Sequence, residues 1–218
     1  MPKASKFKAT QSVPVYSTAG GTKGPQRAKV SRQRRNQNRL IASGAAIFGL
    51  LIALVVYFNI RSQRPVTGEE VFSSQGNTHI ETNSPSPLAY NSTPPTSGPH
   101  YGNLVAWNTF REPQRYEHLL HNLEDGGVII YYQCSEGCPD IVKGLNEIVE
   151  PYIKAGRKVI LAPNDPTWTV GSSQPLHKEM GKRIAISAWQ RLLTMDEVDS
   201  QQIRTFIERY EGVDHHNG

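Results

Sequence analysis

Cysteine is scarce: the 218 residues hold two, Cys134 and Cys138, beside three methionines. Two thiols cannot build a four-cysteine zinc site, and no H-E-x-x-H or paired C-x-x-C pattern takes its place. There is no G-x-S-x-G and no P-loop, so neither a nucleophile elbow nor a phosphate cradle is signalled. Acidic residues are missing from residues 1–39, which carry ten Lys and Arg. Charge of either sign is missing from residues 40–60. Residues 61–218 hold the other fourteen basic residues against all nineteen acids, so the net charge of +5 belongs to the N-terminal segment. A nucleic-acid binder carries its basic surface on its folded domain, so nucleic acid is set aside as a partner.

Residues 1–39 are rich in Lys, Arg, Ser, Thr, Gln and Gly and poor in large apolar residues. Such a segment buries too little surface to offset its ordering entropy, and a disordered basic cytoplasmic tail is expected. Residues 40–60, LIASGAAIFGLLIALVVYFNI, are long enough to cross a bilayer as one helix. Tyr57 falls near the far end, where an interfacial aromatic is expected. The positive-inside rule places the N-terminus in the cytoplasm and residues 61–218 outside. No A-x-A-like site follows the apolar run, so an uncleaved single-pass anchor in the cell membrane is expected rather than a signal peptide. The membrane is thus the partner that the sequence implies, with protein partners in the cell envelope left open.

Residues 61–70 read as a tether, 71–212 as the extracytoplasmic domain and 213–218 as a disordered tail holding His215 and His216. Residues 84–102 carry five prolines and two glycines, which predicts a long loop ending on His100. A short helix over 115–124 is followed by Gly126-Gly127 and by Val128–Tyr132, a β-branched and aromatic run suited to a buried strand. Pro139 suits a first helical position, and a helix from there to about Ala155 would bury Ile141, Leu145, Ile148 and Val149, with Pro151 kinking or breaking it and Gly156 as the stop. Residues 158–162 (KVILA) form the next strand, giving a right-handed βαβ unit with parallel strands. Residues 183–189 predict a third strand. A last helix, capped by Thr194 or Asp196, should run to about Tyr210 with Ile203, Phe206, Ile207 and Tyr210 as its apolar stripe. The fold class expected is a small three-layer-like α/β domain with a βαβ unit and a long Pro-rich loop, preceded by one transmembrane helix.

Four strings carry a resemblance. They are Thr78-His79-Ile80, Pro94-Pro95-Thr96-Ser97-Gly98-Pro99-His100, His121-Asn122-Leu123-Glu124-Asp125-Gly126, and Ala188-Trp189 ahead of the Ile203–Tyr210 helix. Over roughly residues 70–211 the chain resembles the bacterial family catalogued as domain of unknown function 3105, usually found behind one N-terminal membrane anchor. That resemblance implies no activity. Its members typically have histidine where this chain has Asp125, so a ligand there would here be a carboxylate or be missing.

His79, His100 and His121 come from three separate segments. Histidines gathered from loops are a common way to build a transition-metal site, and imidazole suits zinc or copper, with thiolates or Met180 and Met195 nearby favouring Cu(I). Transition-metal binding, copper foremost, through these three histidines is the function the sequence favours. The plainer alternative is a structural or protein-interaction module of the envelope, its histidines packing and its cysteines a staple. Cys134 and Cys138 lie on the oxidising side and are even in number, which predicts a disulfide. Cys138 also opens a helix, a position that lowers a thiol pKa, so thiol–disulfide or copper-transfer chemistry is the third reading. No motif names a reaction. A His121–Glu124 pair offers acid–base work, but a helix-end ion pair is its ordinary meaning.

Overall fold

The computed structural model describes residues 25–62 and 65–216. The chain divides into two units, residues 1–61 and 62–218. The first is built on one helix, α1 (Pro25–Ser62). Its segment Gln37–Tyr57 has mean hydropathy 2.5 and no buried residue, so its length and composition fit a membrane span or a signal sequence. The helix starts at Pro25 rather than at Leu40. Proline suits a first helical turn, and the Arg, Lys and Gln that follow are good helix formers. Residues 1–24 of the expected basic tail lie outside the described residues.

The second unit is a mixed α/β domain. In chain order it contains β1 (Glu69–Val71), β2 (His79–Ile80), β3 (His100–Tyr101), α2 (Tyr116–Glu124), β4 (Val128–Tyr132), α3 (Pro139–Lys154), β5 (Val159–Pro163), β6 (Ile184–Ala188), β7 (Arg191–Met195) and α4 (Ser200–Tyr210). Five strands form one sheet in the order β1-β7-β6-β4-β5. The β4–β5 pair is parallel, as the strand–helix–strand reading requires, and the other pairs are antiparallel.

Both faces of the sheet are covered, which makes three layers. Along β4, Val128 and Ile130 face one side and Ile129 and Tyr131 the other, the period of two that a strand buried on both faces shows. The first face packs on Ile141, Leu145, Ile148 and Val149 of α3 and on Ile203, Phe206 and Ile207 of α4. The second packs on Tyr116, Leu119, Leu120 and Leu123 of α2. Each such fully buried aliphatic or aromatic side chain contributes roughly 1.5–3 kcal/mol by leaving water, so the sheet fixes α2, and α2 carries half of the site described below.

Several local expectations are corrected. Helix α3 passes through Pro151 and ends at Lys154. The bond that Pro151 cannot donate falls in the last turn, and the Ala155 N–H still reaches the Pro151 carbonyl at 3.1 Å. The cap of α4 is Asp199, whose side chain accepts from the Gln202 N–H at 2.9 Å, not Thr194 or Asp196. Those two residues lie at the end of β7, a strand absent from the sequence reading. It pairs with β6 across the two-residue connection Trp189-Gln190, with Gln190 at φ 62°. The edge strand β1 spans the expected boundary, with Glu69 and Glu70 in the segment read as tether. Val66 is buried, and the Glu69 carboxylate takes the Tyr210 hydroxyl and the Val66 N–H. Val66 and Glu69 are thereby tied to the sheet and to α4.

The Pro-rich loop is not loose. Residues 94–101 are buried. Main-chain bonds from Gly98 N–H to the Gly76 carbonyl (2.9 Å) and from His100 N–H to the Thr78 carbonyl (3.0 Å) tie it to residues 76–78. These bonds create the short parallel pair β2–β3, in which His79 stands opposite His100.

Candidate metal centre

Three short elements aim side chains at one point. The β2–β3 register sets His79 beside His100. On α2, His121 and Glu124 stand three residues apart and so share a helical face. The ring centroids of His79, His100 and His121 are 5.0, 5.0 and 5.3 Å apart in their three pairings. One ligand atom from each of these histidines and from Glu124 falls within 4.8 Å of all the others, a set that can hold a metal ion.

Glu124 is the centre of this arrangement. Its side chain is 1 % exposed. Oε1 accepts from Asn77 Nδ2 at 2.7 Å, which fixes the carboxylate and leaves Oε2 for the histidines. Oε2 lies 3.0 Å from His100 Nε2, 3.6 Å from His79 Nε2 and 3.9 Å from His121 Nδ1. Burial pushes the Glu124 carboxyl upward, but the Asn77 bond and the facing His100 and His216 outweigh it and hold it below the usual carboxylate range.

His100 fixes the chemistry. It is fully buried, and its Nδ1 lies 2.8 Å from the Gly98 carbonyl oxygen. A carbonyl only accepts, so Nδ1 carries the proton. Burial lowers the His100 pKa, which favours the neutral ring. Nε2 lies 3.0 Å from Glu124 Oε2, a contact that either a second ring proton or a shared cation satisfies. The buried Nδ1 of His121 has no hydrogen-bond partner. Burial lowers its pKa too, with His100 adding to the effect. An imidazole whose far N–H is held by a backbone carbonyl and a carboxylate held by an amide match the way metal ligands are usually oriented.

Gly98 is required for this geometry. Its φ is 124°, and an added Cβ would lie 3.0 Å from the Tyr90 ring. Only glycine can turn the carbonyl of residue 98 onto His100 there.

Other histidines, the two cysteines and the two methionines stand elsewhere. His118 shares α2 but turns to Asn103 (2.9 Å) and the Tyr101 ring. His177 is a satisfied core histidine, taking the Asp165 N–H and donating to the Gln114 carbonyl. The sulfurs of Cys134 and Cys138 lie at disulfide distance from each other between β4 and α3. They line a cleft of about 1370 Å³ with Arg111, Asn164 and Arg183, and none of the clustered histidines lines it. The histidines gather just before β4 begins and the cysteines follow its end, so the five residues of the strand, roughly 3.3 Å each, separate the two. Met180 packs in the α2-side core and Met195 against the other face.

Glu124, Asn77 and His216 were not read as parts of one site. The spacing of His121 and Glu124 on one helix was the available signal for the first. Nothing local marks Asn77 or His216, which arrive through long-range packing. His216 Nε2 lies 3.7 Å from Glu124 Oε2 and 3.4 Å from Asp125 Oδ1.

A family model described as "Protein of unknown function (DUF3105)" matches residues 79–217, which include every residue of this cluster except Asn77. No curated protein and no solved structure matches the chain.

Proposed function

The chain belongs to the DUF3105 family, and from that premise we propose that its second unit is a transition-metal-binding domain displayed outside the membrane by α1. The first ligands are His79, His100, His121 and Glu124. The observation that carries this reading is the convergence of one ligand atom from each of these four side chains within 4.8 Å of the others. Tetrahedral bonds of about 2.1 Å set ligand atoms about 3.4 Å apart, and the Glu124-to-histidine distances of 3.0, 3.6 and 3.9 Å bracket that value.

Three imidazoles and a carboxylate without sulfur suit Zn(II) or Cu(II) over Cu(I). Copper, if it is the natural ion, binds here in its divalent form. The ten basic residues ahead of the apolar segment support a cytoplasmic N-terminus. The Cys134–Cys138 disulfide supports an oxidising compartment for the domain, with the bridge acting as a staple. The test is metal content of the full chain, purified in detergent, after exposure to Zn(II) or Cu(II) and removal of free ion. Near-stoichiometric metal in the wild type and its loss in His100→Ala support the proposal. A wild-type chain that retains no metal refutes it.

A further inference from the structure

We propose that His121, Asp125 and His216 form a second cation position beside the first, giving the domain a two-metal centre with Glu124 between the ions. This rests on the reading of the first site. The potential ligand atoms fall into two groups that share His121: His79, His100, His121 and Glu124 in one, and His121, Asp125 and His216 in the other. Within each group all ligand atoms lie within 4.8 Å of one another. Neither Asp125 nor His216 joins the first group, so a single ion does not account for all six side chains; with both ions bound, His121 bridges them as an imidazolate, its ring proton released to solvent.

The segment that brings His216 is docked at defined points. The Gly212 N–H donates to the Gly126 carbonyl at 2.8 Å, and the His215 N–H donates to the Glu124 carbonyl at 2.9 Å. The Val213 backbone lies so close to Gly126 (φ 83°) that a Cβ there would meet its carbonyl oxygen at 2.7 Å. The His215 ring stacks on Trp189, whose own ring meets His100 edge-on. His216 follows with its Nδ1 2.8 Å from Asp214 Oδ1. Carboxylate oxygen accepts, so Nδ1 holds a proton, and Nε2 is the ring nitrogen turned toward Asp125 and Glu124. A carboxylate behind a histidine in this way is the arrangement that orients and strengthens a metal-binding imidazole.

The charged groups facing this position are Glu124, Asp125 and Asp214, with Lys158 set back on the Asp125 carbonyl oxygen at 2.6 Å. The two positions differ in access. At the first position His100 and Glu124 are closed off while His79 is 50 % exposed; at the second His216 is 40 % exposed and Asp125 20 %, and none of its ligands is fully buried. The outer ion therefore exchanges faster and keeps coordination positions open to water or to an anionic ligand. Its nitrogen and oxygen donors again select a borderline divalent cation such as Zn(II).

The test counts Zn(II) bound to the full chain in detergent across rising free zinc, for wild type, His216→Ala and Asp125→Asn. Both substitutions are at solvent-reached side chains. The expected result is two equivalents in the wild type, one tight and one weaker, and only the tight one in each variant, its affinity changed by less than about threefold. A wild type that stops at one equivalent, with both variants alike, overturns the second position and leaves the first. One equivalent whose affinity falls in both variants assigns His216 and Asp125 to the same ion and also overturns it. A second equivalent that persists in both variants is adventitious and overturns it as well. No bound zinc in any form removes the first site and this one together.

Discussion

Glu124→Gln is predicted to stabilise the metal-free protein while removing its response to metal. Glutamine keeps the shape of the side chain. Its oxygen can still accept from Asn77 Nδ2, which lies 2.7 Å from Oε1. With His100 neutral and protonated on Nδ1, the amide that replaces Oε2 donates to Nε2, 3.0 Å away. A buried acceptor–acceptor contact becomes a hydrogen bond, worth about 1–2 kcal/mol at this depth. For a domain of this size that is a melting-temperature rise of about 2–8 °C. In the wild type, metal at about a hundred times its Kd adds about 2.7 kcal/mol. That is a rise of roughly 5–11 °C, and the variant should lack it. The assay is thermal unfolding followed by tryptophan fluorescence, since Trp107, Trp168 and Trp189 all lie in the second unit. The reasoning fails if the variant is less stable without metal. That result would mean an imidazolium–carboxylate pair at His100 and Glu124, and breaking a buried ion pair costs about 3–5 kcal/mol.

Two further outcomes follow from the same geometry. Asn77→Ala frees Glu124 Oε1 without touching a ligand and should weaken metal binding about 10–100-fold, measured by competition with a chelator. Replacing both Cys134 and Cys138 by serine opens a ring of only five residues, so it should cost no more than about 2 kcal/mol of stability in denaturant unfolding. The same double variant should leave metal affinity unchanged, because β4 separates the disulfide from the histidines. A loss of metal there would place the cysteines in the site.

Much of the fold was legible because its signals are local. Val128–Tyr132 and Val159–Pro163 are β-rich runs flanking an amphipathic helix that starts on Pro139, and that unit forms the β4–β5 end of the sheet. Strand β7 was hidden because Arg191-Leu192-Leu193-Thr194-Met195 has no period of two and Trp189-Gln190 is not a recognisable hairpin turn. With β7 unseen, the cap of α4 was set too early. Edge strand β1 was hidden for a related reason: Glu69 and Glu70 look solvated, yet Glu69 is buried by its bonds to Tyr210 and Val66.

The site divides in the same way. The three histidines stood out because each lies in a short string with few other functional groups. Their convergence depends on the β2–β3 pairing and on Gly98, which no spacing rule encodes. Glu124 looked like an ordinary helix-end carboxylate until its burial and its Asn77 bond were visible. His216 lies 92–137 residues along the chain from His79, His100, His121 and Glu124, and only the docking of residues 212–215 on Gly126 and Glu124 brings it in.

The most direct test of the metal site is the zinc K-edge X-ray absorption spectrum of the full chain loaded with one equivalent of Zn(II). The account predicts a first shell of nitrogen and oxygen only, at about 2.0–2.1 Å, with outer-shell scattering from three imidazoles. A sulfur shell at about 2.3 Å, or zinc held by water alone, would contradict it.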